Sequence, residues 1–84
     1  MAVHLTHTAA KHGISRARAL YVLDHYIWAY PVGRGVTLYM GPDRNGIDLE
    51  IGTVRRGDEM YVIHAMKLRD EFIDEYTRHL PWPR

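Results

Sequence analysis

The feature that most limits the fold is a series of strand-like segments separated by turn sequences in the middle of the chain. Residues 36–40 (VTLYM), 47–54 (IDLEIGTV) and 59–66 (EMYVIHAM) are rich in β-branched and aromatic side chains, a composition typical of strands. The sequences GPDRNG and RRGD lie between them and favour turns. Because turns this short join antiparallel neighbours, the sequence predicts an antiparallel meander of three to four strands.

Helical patterns lie before this region. In THTAAKHG, Thr6 or Thr8 can cap a short helix, and Gly13 suits the left-handed position that closes one. Ser15 can then cap a second helix, SRARALYVLDHYI, which ends before the helix-breaking residues that begin at Pro31. The sequence therefore predicts two N-terminal helices.

A third helical pattern follows the meander and ends at Pro81. Its apolar positions recur at helical spacing and are Leu68, Phe72, Ile73 and Tyr76. A chain of 84 residues has room for one small hydrophobic core. We therefore expect a single α+β domain over residues 1–84, with two N-terminal helices, the meander and a C-terminal helix.

The turn between the last two predicted strands decides which side chains share a face of the sheet. A three-residue loop of residues 55–57 places Val54 opposite Asp58. One face then carries Ile47, Leu49, Ile51, Tyr61, Ile63 and Ala65, and the other carries Asp48, Glu50, Gly52, Met60, Val62, His64 and Met66. A two-residue turn would instead place His64 beside Leu49, leaving a polar group among apolar neighbours. The apolar pattern favours the three-residue loop.

In that register, Glu50 and His64 lie on the same face of adjacent strands and within reach of each other. Such a pair can provide a general acid or base, or it can be an ion pair on a solvated face. Lys67 and Arg69 follow at the junction between strand and helix. They can stabilise the charge of a phosphate during its transfer, or they can simply occupy solvated positions.

Several classes of function lack support in the sequence. The chain has no cysteine, so it has no disulfide or thiolate metal site, and no two of its six histidines are four residues apart. It contains no phosphate-binding glycine motif, and its net charge of +1 gives no sign of a strongly basic nucleic-acid-coating protein. No apolar run approaches the roughly 20 residues of a membrane span. We expect a cytosolic protein without a metal or another cofactor.

The sequences KHGIS (residues 11–15) and IHAMKLRDEFIDEY (residues 63–76), on either side of the predicted meander, resemble the BrnT-like branch of the RelE superfamily of bacterial toxins. The resemblance covers roughly residues 7–78. It implies a compact RelE-like α+β fold, a cytoplasmic location and a cognate antitoxin partner. It also implies metal-independent cleavage of RNA, in which a ribose 2′-OH attacks the neighbouring phosphate. Whether the chain forms a homodimer is left open.

The resemblance also suggests roles for particular residues. The Arg at the family's strand-to-helix junction corresponds to Arg69, its N-terminal Lys-His pair to Lys11 and His12, and its last-helix aromatic to Tyr76. The predicted catalytic residues are Glu50, His64, Arg69 and Lys67, and the predicted RNA-binding residues are Lys11, His12, Arg55 and Tyr76. The alternative is a non-catalytic, protein-binding regulator of the same fold, carried by a phage or mobile element.

Overall fold

The computed structural model of the chain describes residues 2–82. In chain order its elements are β1 (Ala2–Leu5), a 3-10 helix (Thr8–His12), α1 (Arg16–His25), β2 (Trp28–Gly33), β3 (Val36–Pro42), β4 (Asp48–Arg56), β5 (Glu59–Lys67) and α2 (Asp70–Arg78). Within these described residues, no helix is long and apolar enough to cross a membrane.

The five strands form one mixed sheet in the order β1-β5-β4-β3-β2. Strands β2 to β5 pair antiparallel with their neighbours, whereas β1 pairs parallel with β5. The predicted architecture is therefore wrong, because the N-terminus holds a strand and one α-helix rather than two helices. The sequence THTAAKHG forms only a five-residue 3-10 helix, which Gly13 closes with a φ of 75°.

A distant partner explains why β1 escapes prediction. The strand has only four residues, and its register joins Ala2 to Glu59 and Leu5 to Val62. Directly after it, the backbone N–H and the hydroxyl of Thr6 both donate to the carbonyl of Val62, at 3.0 and 2.9 Å. These bonds depend on residues more than fifty positions away, so local sequence patterns carry little sign of them.

Helix α1 begins as the sequence predicts. The Ser15 hydroxyl accepts a hydrogen bond from the backbone N–H of Arg18 at 3.2 Å, which satisfies one of the N–H groups that the first helical turn leaves without a partner. Ala19 and Val22 are buried against the sheet. The helix thus covers one face of the sheet, as its apolar spacing requires.

Two hydrophobic cores lie on opposite faces of the sheet. The first contains side chains of the 3-10 helix, α1, β4 and β5 and is formed by Ala9, Ile14, Ala19, Val22, Leu49, Ile51, Val62 and Ala65. The second joins β3 to α2 and is formed by Leu38, Met40 and Tyr76, with Ile27, Trp28, Leu68, Phe72 and Leu80 packed around them. Alternation along β4 therefore sends odd-numbered side chains towards α1 and even-numbered ones towards α2.

The predicted turn between β4 and β5 is wrong. Arg56 pairs with Glu59 across a two-residue turn, and Val54 pairs with Tyr61 rather than with Asp58. The register then shifts between Gly52 and Thr53, because Ile63 is an extra residue on β5 and forms a β-bulge. From His64 to Met66, the side chains of β5 lie on the predicted faces of the sheet. From Glu59 to Val62, they lie on the opposite faces.

The shift has clear effects on burial. Val62, predicted on the face of Glu50, lies in the α1 core and is 0% exposed. Tyr61 and Ile63, predicted in that core, are only partly buried. Ile47, predicted on the same face, precedes β4 and is exposed independently of the shift. After the bulge, the predicted alternation is restored. His64 therefore pairs with Gly52 and lies on the α2 face.

Asp43 anchors the turn between β3 and β4. One of its carboxylate oxygens accepts hydrogen bonds from the backbone N–H groups of Asn45 and Ile47, at 2.8 and 3.0 Å. The other accepts from Nε of Arg18, at 2.9 Å. The hydrogen bond from Ile47 is the main cause that lowers the pKa of this carboxyl; burial raises it, and the bonds from Asn45 and Arg18 help to outweigh that.

Candidate functional site

Glu50 is the centre of the candidate site. It lies in the middle of β4, in register with Met40 of β3 and Met66 of β5, and its side chain is 0% exposed. A buried carboxylate is costly unless hydrogen-bond donors surround it. The partners of Glu50 therefore show what the site is built to hold.

Both oxygens of Glu50 accept hydrogen bonds. Oε1 accepts from Nε2 of His64 at 2.8 Å and from Nε of Arg69 at 2.8 Å, and Nη2 of Arg69 lies 2.7 Å away. Oε2 accepts from the backbone N–H of Arg69 at 2.9 Å. Since Arg69 is the N-cap residue of α2, the carboxylate also lies at the positive end of that helix. The structure thus brings together three residues that the sequence analysis assigned to one site.

These contacts keep Glu50 ionised. Burial alone would raise the pKa of its carboxyl, but hydrogen bonds from His64 and Arg69 and the positive charge of Arg69 outweigh it, and the net pKa is lowered. In turn, the hydrogen bond to Glu50 raises the pKa of Arg69. A carboxylate with a lowered pKa is a weak base. Glu50 is therefore better suited to positioning His64 and Arg69 than to accepting a proton.

The imidazole of His64 is partly open to solvent, since 27% of its side chain is exposed. Assigning the Nε2 proton to the bond with Glu50 places the lone pair of a neutral imidazole on Nδ1. No described residue hydrogen-bonds to Nδ1. Opposite His64, a Cβ on Gly52 would lie 3.0 Å from the histidine Cβ, so glycine there leaves the space that the imidazole needs.

A second histidine lies beside the first. The 3-10 helix continues from β1 along the edge of β5 and brings the ring of His12 to 6.3 Å from the ring of His64, at an angle of 71°. Both His12 and its neighbour Lys11 are exposed. The sequence analysis grouped His12 with RNA binding, and the structure places it close enough to share a small anionic ligand with His64.

Three other predicted residues lie away from this cluster. Lys67 pairs with Leu49, so alternation directs its side chain to the face opposite Glu50. Arg55 is five residues from Glu50 along β4, about 17 Å at normal strand rise, and near the hairpin end. Tyr76 is 0% exposed and donates its hydroxyl proton to Asp48 at 2.8 Å. Its side chain belongs to the core and is closed to a ligand.

The sequence analysis also missed residues around the cluster. It gave no role to Gly52, or to the aromatic side chains that lie between β2 and α2, notably Trp28 and Tyr30. The two alternate on one strand face, which is the signal that could have revealed them. Within residues 2–82, no group of three histidine or acidic side chains is arranged to hold a metal ion.

Comparison of the chain with protein-family models, curated proteins and solved structures finds no match. The resemblance to bacterial toxins thus remains a prediction from short sequence patterns. The geometry of Glu50, His64, Arg69 and His12 stands independently of it.

Proposed function

We propose that the chain is a toxin-like endoribonuclease that cleaves RNA without a metal ion, by attack of a ribose 2′-OH on the adjacent phosphate. The observation that carries the proposal is His64, whose Nε2 is hydrogen-bonded to the buried carboxylate of Glu50 and whose side chain is 27% exposed. A histidine positioned by a carboxylate is a common general base.

The reaction needs a base, an acid and a positive charge. His64 Nδ1 takes the proton of the 2′-OH as the ribose oxygen bonds to phosphorus. His12, whose ring lies 6.3 Å away, donates a proton to the 5′-oxygen as its bond to phosphorus breaks. The products are a 2′,3′-cyclic phosphate and a 5′-hydroxyl. These two proton transfers balance, so the cleavage step needs no cofactor.

Arg69 supplies the positive charge. Two of its five N–H donors contact Glu50, and Nη1 lies 3.5 Å from Glu71. The side chain is 42% exposed, so its remaining donors can reach a phosphate oxygen. Glu50 holds the guanidinium in place before substrate binds, which is the preorganisation that transition-state stabilisation requires.

The remaining parts of the proposal follow from the toxin resemblance. RNA is the substrate, a cognate antitoxin is the protein partner, and the cytoplasm is the place of action. Lys11, exposed beside His12, is suited to binding RNA backbone phosphates. The alternative of a non-catalytic regulator depends on an exposed apolar face with Met60, Val62 and Met66. Val62 is fully buried and therefore adds nothing to that face.

The test is cleavage of single-stranded RNA by the purified protein in the presence of EDTA. His64→Gln should lower the cleavage rate by about 10²- to 10⁴-fold, the usual contribution of a general base. His25→Gln is the matched control, because His25 ends α1, hydrogen-bonds to Tyr21 and lies outside the site. Full activity of folded His64→Gln protein, or products other than the cyclic phosphate and 5′-hydroxyl, would contradict the proposal.

A further inference from the structure

A cleft with aromatic walls lies beside the Glu50 cluster, between strand β2 and helix α2. Its volume is about 420 Å³, within the range of roughly 300 to 1,000 Å³ typical of small-molecule sites. Its lining residues are Trp28, Tyr30, Glu71, Phe72 and Glu75. Three aromatic rings and two carboxylates in one cleft suit a flat ligand that carries hydrogen-bond donors on its edge.

The rings of His79, Trp28 and Tyr30 form a stack, and the ring of Phe72 forms a wall beside it. Trp28 stacks on His79 at 5.2 Å and on Tyr30 at 5.3 Å, and Phe72 meets Trp28 and Tyr30 edge-on, at 6.4 and 6.2 Å. Trp28 thus has two stacked neighbours, whereas Tyr30 stacks on Trp28 alone among the described residues and is 41% exposed. A further flat ring can continue the stack on Tyr30.

The two carboxylates differ in their present partners. Glu75 lies 2.8 Å from Nη1 of Arg78 and 3.6 Å from His79. Within the part of the chain that the structure describes, the one ion-pair contact of Glu71 is with Arg69 at 3.5 Å, and its side chain is 63% exposed. Ion pairs this exposed contribute little free energy. Glu71 is therefore the carboxylate that can turn to a ligand at the smaller cost.

The cleft lies on the same face of the sheet as the proposed active site. Tyr30 pairs with Leu38, Leu38 with Gly52, and Gly52 with His64, so Tyr30 and His64 lie on one face, three strand spacings or about 14 Å apart. Arg69 bridges the gap, since its guanidinium carbon lies 5.2 Å from the centre of the Phe72 ring. RNA bound at His64 and Arg69 would extend over the cleft.

We propose that this cleft binds an unstacked guanine of single-stranded RNA, one or two nucleotides from the cleaved phosphate. The base stacks on Tyr30 against the wall formed by Phe72, and its N1–H and N2–H groups donate to the carboxylate of Glu71. Guanine is the RNA base with two adjacent donors on its Watson–Crick edge, which match the two oxygens of a carboxylate. The inference rests on the proposed ribonuclease function and gives it a sequence preference.

Aromatic stacking with hydrogen bonds to the base edge is the usual way in which proteins read single-stranded RNA. Stacking alone contributes about 1 to 3 kcal/mol per base and tolerates any base. The carboxylate supplies the discrimination, since a good bidentate contact favours the correct base by about 1 to 3 kcal/mol. The stack and the carboxylate thus make separate, measurable contributions.

The experiment measures binding without cleavage. Trp28 and Trp82 are the two tryptophans of the chain, so Trp82→Phe makes the fluorescence report on the cleft. Short 2′-deoxy oligothymidylates with one central guanine, hypoxanthine or adenine serve as ligands, because they lack the attacking 2′-OH. The guanine ligand should bind about tenfold more tightly than the other two, since hypoxanthine lacks the N2 amino group.

Glu71→Gln should remove this preference while leaving the binding of the adenine ligand unchanged. Asp74→Asn is the matched control, since Asp74 is an exposed acid on the same helix that does not line the cleft, and it should keep the preference. Equal binding of all three ligands overturns the proposal. Fluorescence changes with N-acetylarginine amide but with none of the oligonucleotides also overturn it, because they identify a cation site.

The two proposals can fail separately. Guanine-selective binding by a protein that cleaves no RNA would reject the ribonuclease and keep the guanine site. Cleavage of RNA whose product ends show no guanine at a fixed distance would keep the ribonuclease and reject the guanine site. Sequencing those ends from a random single-stranded RNA pool therefore completes the test.

Discussion

Glu50 and Asp43 are both buried carboxylates with a lowered pKa, but their partners differ. Asp43 takes two of its three hydrogen bonds from backbone N–H groups of its own turn. Glu50 takes its hydrogen bonds from His64 and Arg69, whose side chains remain partly exposed. A carboxylate held by its own turn fixes the backbone, whereas one that holds exposed titratable side chains prepares them for a ligand.

The largest expected difference in stability follows from neutralising the carboxylate of Glu50 or of Asp43. In Glu50→Gln, an amide NH₂ would face donors from His64 and Arg69, so the free energy of unfolding should fall by about 3 kcal/mol. In Asp43→Asn, the amide oxygen can keep both backbone bonds, and only Arg18 loses its partner. We expect a loss of about 1 to 2 kcal/mol there. Urea denaturation of both variants measures the difference, and equal losses would show that the two sites are alike.

Glycine substitutions give the next largest effect. A methyl group on Gly52 would lie 3.0 Å from the His64 Cβ and 3.3 Å from Leu38, so Gly52→Ala should cost about 2 kcal/mol and lower RNA cleavage. Gly46, in the Asp43 turn, has a φ of 80° and open space around it. Gly46→Ala should cost about 1 kcal/mol and leave cleavage unchanged. Unaltered His64 NMR resonances in Gly52→Ala would contradict this reasoning.

Removing Arg69 or Arg18 should lower the free energy of unfolding by amounts that differ less. Arg69→Ala removes two side-chain donors from Glu50, whereas Arg18→Ala removes one donor from Asp43. Because both arginines are partly exposed, we expect losses of about 1.5 and 1 kcal/mol. NMR titration of the carboxyl groups is the sharper measurement. The pKa of Glu50 should rise in Arg69→Ala, and an unchanged value would mean that Arg69 does not hold it down.

The smallest effect is a dependence of stability on pH. Both carboxyls have a folded pKa below their ordinary values, 4.5 for Glu50 and 3.8 for Asp43. Their contribution is therefore complete above those values and is lost as pH falls through the lowered folded pKa. The stability of the protein should decline from about pH 4.5 downwards, and Glu50→Gln should flatten the upper part of that decline. A stability that rises on acidification would contradict these assignments.

Local patterns allowed part of this structure to be predicted. The Ser15 cap and the strands around residues 36–66 follow from spacing and alternation, which nearby residues determine. Glu50 and His64 share a face as predicted, but only because the bulge at Ile63 offsets the wrongly predicted turn. The parallel strand β1 and the meeting of His12 with His64 depend on contacts between distant segments. The bulge at Ile63 changes which face each side chain takes, and no turn residue marks it.

The same reasoning explains the misplaced site residues. Lys67 and Arg69 are only two residues apart in sequence, yet β5 ends at Lys67 and the two side chains lie on different faces of the sheet. Tyr76 fits an aromatic stripe equally well as a core or as a binding residue, and only packing distinguishes these roles. The ring stack was missed because its members come from β2 and α2, which are about forty residues apart in the chain.

The parallel pairing of β1 with β5 determines the order in which the protein can fold. Ala2 pairs with Glu59, so β1 can join the sheet only after a long loop has closed. Closing that loop is slow compared with forming the β4–β5 hairpin. His12 follows β1, so its approach to His64 belongs to the last stage of folding. We expect Val3→Ala to accelerate unfolding and leave the folding rate almost unchanged. During folding, the contact between His64 and Glu50 therefore forms before His12 joins them.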